Sequence, residues 1–310
     1  MDILNVSLFG RFRIVSKNQV VMGLELCRAQ ELFAYLLLHR NHPCSREMLA
    51  GILWEKADPM QARKYLRQAL WKIQSTLKDV IGKNVDKLLI QEREWVQLNS
   101  CEYLLLDIAS FEQAICECQE VDGTILSDLQ RKNLDHAIVT YSGELLEGWY
   151  QDWCIYERER LQNQYLYVLD KLTASCVANH LIDSGLSYAS RILRCDPAEE
   201  QAHYHMMHLY WIAGHRTKAM RQYQRCRKVL MQEIGIQPSQ RIKNLYDRIK
   251  ADEFHPSSNH ELALPFDTAQ LDTQRLRELL ICFQHLQNQL ISIEKQLKRS
   301  IYPVAINDQH

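Results

Sequence analysis

The sequence predicts a mainly α-helical chain with a small β component. Three observations carry that prediction. The 310 residues include only 10 glycines and 7 prolines, too few for a turn-rich all-β architecture. Apolar residues recur at helical spacing through most of residues 105–250. Alternation of apolar and polar residues, the mark of half-buried strands, is confined to the first hundred positions. The length suits two ordinary domains with room for an extension. At 46% apolar and 24% charged residues, a mainly disordered chain is excluded. No apolar run approaches the ~20 residues of a membrane-spanning helix, so no membrane is expected among the partners. Met1-Asp2-Ile3 opens without the basic start of a secretory signal.

Charge is unevenly placed. The 37 Lys and Arg nearly cancel the 38 Asp and Glu, for a net charge of -1. Residues 1–100, however, hold 15 basic and 10 acidic side chains, and residues 101–310 hold 22 and 28. A basic front on an acidic body points the front at a polyanion.

Along the front, Leu4, Val6, Leu8, Phe12 and Ile14 alternate with polar residues, which predicts one strand bent at Gly10. A turn at Lys17-Asn18 leads to a short strand at Val20-Val21-Met22. Gln30 to His39 carries Leu32, Phe33, Leu36 and Leu37 on one helical face. Ser45 is a candidate N-cap for a second helix with Met48, Leu49, Ile52 and Leu53 inward. Asp58-Pro59 supplies an N-cap and an N1 proline for a third.

The third helix is the informative one. From Met60 to Lys78, Leu66, Ala69, Leu70, Ile73 and Leu77 form the inward stripe. Arg63, Lys64, Arg67, Gln68, Trp71, Lys72, Ser75 and Lys78 lie opposite. The stretch has five basic residues and no acid. An ordinary surface helix mixes signs to gain i,i+4 pairs. One that forgoes them repels itself unless an anion lies against it. DNA phosphates are such an anion, and Arg or Gln can reach base edges. A solvated basic face is the open alternative. Residues 87–98 then predict a hairpin with Glu92-Arg93-Glu94 at its tip. Strands, three helices and a hairpin, in that order, make a winged helix-turn-helix over residues 1–100. The candidate DNA-binding set is Arg63, Lys64, Arg67, Gln68, Trp71, Lys72 and Ser75 on the helix, with Arg93 on the wing.

Residues 105–250 predict helices from Ser110, from Leu126 to Tyr141, and from Trp153 to Cys176, the last with Leu161, Leu166, Leu169 and Leu172 inward. After these, Ala189 and Ala219 stand 30 residues apart in successive helical segments, close to the tetratricopeptide period. Such arrays present a surface to another protein. A plain helical bundle is the alternative.

No catalytic constellation stands out. The ten cysteines are scattered, with only Cys116 and Cys118 close, so neither a zinc framework nor a disulfide scaffold is expected. Buried thiols in a reducing cytoplasm are the expectation. His203, His205 and His208 cluster without a Cys or carboxylate to complete a metal set, so they are read as part of a helix face. No phosphate-cradling loop and no nucleophile elbow occurs. The chain is therefore expected to be no enzyme and to need no cofactor.

One ordered set of stretches runs through most of residues 4–250. It begins with Leu8-Phe9-Gly10, Leu49 through Trp54, and Asp107 through Phe111. Tyr141-Ser142-Gly143-Glu144-Leu145-Leu146, Trp153, and Glu157 through Leu161 follow. Pro197-Ala198-Glu199-Glu200, Gly214, Ala219, Tyr223, and Glu233 through Pro238 complete the set. Together these stretches resemble the Streptomyces antibiotic regulatory protein family with its bacterial transcriptional activator domain. The resemblance implies a bacterial transcription activator whose third helix enters the major groove at promoter direct repeats. It implies that the helical domain contacts RNA polymerase and its sigma factor. Two positions depart from the family pattern. Ile73-Gln74 replaces a usual Leu-Arg, and Glu94-Trp95 replaces a usual Gly-Tyr, which leaves the base and wing contacts open.

Residues 251–266, with Pro256, Ser257, Ser258 and Pro265, form a linker by composition. Over residues 267–300, Leu276, Leu279, Phe283, Leu286, Leu290, Ile293 and Leu297 are spaced alternately three and four apart. That is a heptad seam. It either dimerises the chain as a coiled coil, giving a homodimer, or packs back on the chain's own helices. The leading functional expectation is an activator that binds double-stranded DNA and engages RNA polymerase or its sigma factor. The alternative is a tetratricopeptide-type adaptor without specific DNA binding. An adaptor, however, has no reason to strip every acid from residues 60–78.

Overall fold

The computed structural model describes residues 3–24 and 28–251. The heptad seam at 276–297 lies outside the described residues, and so does the expected linker except Ala251, which ends a helix.

The front of the chain is a hairpin, not one bent strand. Strand β1 (Leu4–Ser7) pairs antiparallel with β2 (Arg13–Ser16), and Leu4, Val6 and Ile14 face the core. The reversal falls where Gly10 adopts a φ of 76°, a left-handed conformation that L side chains rarely take. Sequence alternation is the same on either side of such a turn, which is why a single strand was expected. Lys17 and Asn18, both at positive φ, then turn the chain into β3 (Gln19–Val20).

Three helices follow. Helix α1 (Arg28–Leu38) is buried along most of its length, with Leu32, Phe33 and Leu37 fully enclosed. A short strand β4 (Cys44–Ser45) precedes α2 (Arg46–Leu53), whose buried residues are Leu49, Ala50 and Leu53. Met48 and Ile52, expected inward, are each 39% exposed. On a helix of only two turns they flank the stripe that meets the core. Helix α3 (Pro59–Ile81) starts as expected, the Asp58 carboxylate accepting from Met60 N at 3.0 Å with Pro59 in the first turn. A single turn, α4 (Val85–Leu88), leads into β5 (Leu89–Gln91) and β6 (Trp95–Leu98), and β6 also pairs with β4. Three helices and a three-stranded sheet ending in a hairpin form the winged helix-turn-helix.

The helical part is not a separate bead on a string. Strand β7 (Leu104–Leu106) runs parallel to β1 and completes the front sheet in the order β3-β2-β1-β7. Helix α5 (Asp107–Cys118) begins directly after it, three residues ahead of the expected Ser110 start. The cause is Asp107. Its carboxylate accepts from the backbone N–H of Leu8 at 2.8 Å, of Phe9 at 2.9 Å and of Ile108 at 2.8 Å. Burial pushes this carboxyl up from its ordinary range, against the pull of those amides. Behind it, Phe9 meets Phe111 edge-on at 5.3 Å and Tyr141 at 4.7 Å, and Tyr141 stacks on Tyr165 at 4.2 Å.

Helices α6 (Asp128–Thr140) and α7 (Asp152–Ala178) continue the body. The loop between them clasps the front hairpin. Gly10 N donates to Glu144 O at 2.7 Å and Leu146 N donates to Leu8 O at 2.8 Å. Gly143 sits so close to Gly10 that a Cβ there would lie 3.3 Å from the Gly10 Cα. Arg158 of α7 holds the loop, donating to the carbonyls of Leu145, Leu146 and Trp149 at 3.0, 3.1 and 2.8 Å. Leu161, Leu169 and Leu172 are buried as expected, and Leu166 is half-buried. Lys171, buried in the same helix, donates to the carbonyls of Cys118, Gln119 and Val121 at the end of α5.

The last helices are α8 (Ile182–Cys195), α9 (Glu200–Ile212), α10 (Arg216–Glu233) and α11 (Gln240–Ala251), packed as successive pairs. Ala189 and Ala219 are fully buried where helices touch. A Cβ on Gly185 would come within 2.7 Å of Leu209, so this crossing admits only glycine. One apolar core runs from the front sheet through Ala202, and a second fills the α9–α10–α11 corner.

Of the clustered histidines, His203 and His205 are buried and burial holds all three, His208 included, below the ordinary imidazole value. His205 is pushed down to about 4, with the Arg241 and His208 charges adding to burial. His203 Nδ1 faces the Gln222 amide at 2.8 Å and Nε2 faces the Pro197 carbonyl at 3.0 Å. A neutral ring donating to Pro197 O and accepting from Gln222 satisfies both. Among the described residues no group of His, Cys, Asp and Glu could hold a metal ion.

Two expected outcomes follow. Asp107→Ala orphans the Leu8 and Phe9 amides and should cost roughly 3 kcal/mol in urea unfolding. Asn at the same place, keeping one acceptor, should recover part of it, and a loss under about 1 kcal/mol would contradict the joint described. At about pH 5 an unfolded histidine holds a proton that folded His205 does not. Stability should therefore fall as pH drops from about 6.5 toward 4, by about 2 kcal/mol at about pH 5 for His205 alone. His205→Leu should flatten that slope, and an unchanged slope would assign it elsewhere.

Candidate nucleic-acid interface

Helix α3 divides cleanly. Ala62, Leu66, Ala69, Leu70, Ile73, Leu77 and Ile81 are buried, and the helix packs on α1, α2 and α4. Arg63, Lys64, Arg67, Gln68, Trp71 and Lys72 are exposed, and Ser75 is half-exposed. Trp71 is 68% exposed, a large apolar surface that no element among the described residues covers. The helix runs three residues past the predicted end, so one acid, Asp79, joins its last turn.

The predicted contacts fall into three places. Arg63, Arg67 and Arg93 line one open cavity of about 700 Å³, together with Ser45, Arg46, Glu47, Met60 and Glu94. Lys72 and Ser75 line another of about 380 Å³ against the β2–β3 turn. Lys64, Gln68 and Trp71 stand on the outer face between them.

Arg46 is the residue the sequence reading missed. Its backbone N–H donates to Glu94 O at 2.9 Å and its Nε donates to Glu92 O at 2.8 Å, which fastens the start of α2 to the wing tip. Burial first, and the Arg67 charge second, lower its affinity for its proton. Two guanidinium groups held close enough to oppose each other favour a shared anion. The available signal was position alone. Arg46 follows the Ser45 N-cap, and only the pairing of β4 with β6 brings the wing beside it. An exposed ion pair, Arg63 to Glu47 at 3.6 Å, neutralises little at such exposure.

The two departures from the family pattern acquire roles. Ile73 is fully buried. The Gln74 carbonyl accepts from Gln91 Nε2 at 3.2 Å, and its amide donates to Asp86 at 3.3 Å, so this side chain ties α3 to the wing strand. Glu94 lines the arginine cavity, while Trp95 is half-buried in the pairing of β6 with Ser45.

Residues 106–250 match the bacterial transcriptional activator domain family. The transcriptional regulatory protein MoaR1 of Mycobacterium bovis BCG is 23% identical over 223 residues, 72% of this chain and 71% of that protein. The Mycobacterium tuberculosis H37Rv protein of the same name matches equally. The solved structure of M. tuberculosis EmbR, in complex with a low-affinity phosphopeptide, superposes with a TM-score of 0.71 at 16% identity. That match covers 81% of this chain and 66% of the EmbR chain, leaving about a third of EmbR uncovered. Residues 106–250 therefore carry a bacterial transcriptional activator domain, preceded in this chain by a winged helix, and the chain is similar over most of its length to the transcriptional regulatory proteins MoaR1.

Proposed function

We propose that the chain reads promoter repeats in duplex DNA with α3 and the wing, and engages RNA polymerase or its sigma factor through the helical domain. The observation that carries the DNA half is the arginine cluster. Arg46 of α2, Arg63 and Arg67 of α3 and Arg93 of the wing tip line one cavity with Glu47 and Glu94, and α3 itself has no acid from 60 to 78. Phosphates on the Arg46 and Arg67 side would relieve their repulsion. Gln68 and Trp71, on the outermost line of α3, are the candidates for base edges and thymine methyl groups. Lys64, Lys72 and Ser75 flank them as backbone contacts, Lys72 and Ser75 toward the β2–β3 turn. The polymerase half is supported by the match over 106–250 and by paired helices of a kind that carries surfaces rather than chemistry.

Reading two repeats calls for two copies. The 3,4-spaced residues Leu276, Leu279, Phe283, Leu286, Leu290, Ile293 and Leu297 supply a seam for pairing them. Light scattering should give twice the monomer mass for the full chain and the single mass for residues 1–265. One mass for both removes the dimer.

Arg67→Ala with Lys72→Ala should abolish retention of promoter DNA in a gel shift and reduce the salt slope by about two contacts. Trp71→Ala should weaken specific DNA by about tenfold and leave random duplex nearly unchanged. If the double variant holds DNA like the parent at matched salt, the chain is a protein-only adaptor instead.

A further inference from the structure

The criterion that singles out α3 applies with more force to α10. That helix carries Arg216, Lys218, Arg221, Arg225, Arg227 and Lys228, and its one acid is Glu233 at the last position. Residues 101–215 hold 18 acids against 7 bases, whereas residues 216–251 hold 10 bases against Glu233 and Asp247. The acidic body therefore ends in a basic helical hairpin. The overall excess of acid over 101–310 concealed it.

The charges on α10 are ordered. Ala219, Tyr223, Cys226 and Leu230 turn inward. Lys218, Arg221, Arg225 and Lys228, spaced three, four and three, lie exposed on the opposite face. Among the described residues Arg221, Arg225 and Lys228 enter no ion pair. Part of this stripe borders a groove of about 430 Å³ between α8 and α10. Arg194 stands on one bank, Arg225 and Lys228 on the other, and Leu193, Met206 and Val229 line it between them. No acid lines the groove. His203 and Gln222 reach it too, but each is occupied by the other, so they make a fixed wall and not a reactive group.

We propose that this groove binds an acidic amphipathic peptide segment of a partner protein. Its Asp and Glu side chains pair with Arg194, Arg225 and Lys228, and its Leu or Phe side chains cover Leu193, Met206 and Val229. Charge complementarity selects the sign of the partner and the apolar lining selects its kind. A DNA duplex offers phosphates to the banks, but its thymine methyl groups lie recessed in its own major groove and cannot enter a groove on the protein. The inference rests on residues 106–250 serving as a protein-binding platform, and it names the chemistry that platform accepts.

The test uses the full chain and a fluorescent synthetic peptide that alternates Glu or Asp with Leu or Phe, followed by anisotropy. Arg225→Glu with Lys228→Glu, both exposed, should keep the parent melting temperature and bind the peptide about tenfold more weakly. A peptide with its Leu and Phe changed to Ser should also lose about tenfold. A peptide with Lys at its acidic positions should bind only the charge-reversed variant. Equal binding by parent and variant overturns the proposal. So does a serine peptide that binds as well as the parent peptide. If the variant loses duplex DNA while peptide binding is unchanged, the stripe is a DNA contact and the proposal also fails. A protein that retains promoter DNA but ignores the peptide sinks this inference alone; a parent that binds the peptide but not promoter DNA sinks the proposed DNA reading alone.

Discussion

Asp107 is the point on which the two halves of the molecule turn. One carboxylate receives the amides of Leu8 and Phe9 from the front sheet and, on its other oxygen, that of Ile108 in the first turn of the helix that opens the activator domain. A buried carboxylate is costly unless its lone pairs are used, and here backbone N–H groups use them. The geometry therefore forces β7 alongside β1 and sets Phe9 against Phe111 and Tyr141. The Gly10 turn reaches far enough beyond the sheet to be gripped by residues 144–147. The consequence for function is rigidity. Helix α3 is braced by the same core that fixes α5, α6 and α7, so a load on the helical body is passed to the winged helix through packed side chains.

That brace explains which parts of the fold were legible. Periodicity exposed α1, α3 and α7 because each buries a continuous stripe, and the Asp58-Pro59 cap fixed where α3 begins. The hairpin at Gly10 was not legible because a two-residue period does not distinguish a bent strand from two strands folded back. Met48 and Ile52 misled because helical spacing predicts a stripe but not its width. The early start of α5 depended on a partner nearly a hundred residues away. Distant hydrogen bonds leave no local trace.

The candidate interface divides along the same line. Absence of acids on residues 60–78 is a one-dimensional property, and it located Arg63, Lys64, Arg67, Gln68, Trp71, Lys72 and Ser75 on the outer side of α3. Arg46 needed the third dimension, since the wing lies beside it only because β4 joins the wing sheet, and the packing of α2 on α3 sets it in one cavity with Arg67. Gln74 shows the reverse. A polar residue on a basic outer helix invites assignment to DNA, yet its hydrogen bonds to Gln91 and Asp86 spend it on holding the wing. Whether a polar side chain is available to a ligand depends on what has already claimed it.

Charge has to be summed over structural elements before it means anything. The net value of -1 hid a basic front, and the acidic total behind it hid the basic pair α10 and α11. At physiological ionic strength the Debye length is about 8 Å, shorter than a helix of this size, so each element presents its own sign to a partner. Eighteen acids on residues 101–215 cannot neutralise α10 unless they lie within that reach. The ion pairs that form in this body, such as Arg160 with Glu112 and Glu157, sit where α5 meets α7 and not on the α10 stripe. Among the described residues Arg221, Arg225 and Lys228 enter no ion pair, so that stripe carries a standing electrostatic cost. An incoming anion removes that cost, which makes α10, like α3, a surface better suited to being covered than to facing water.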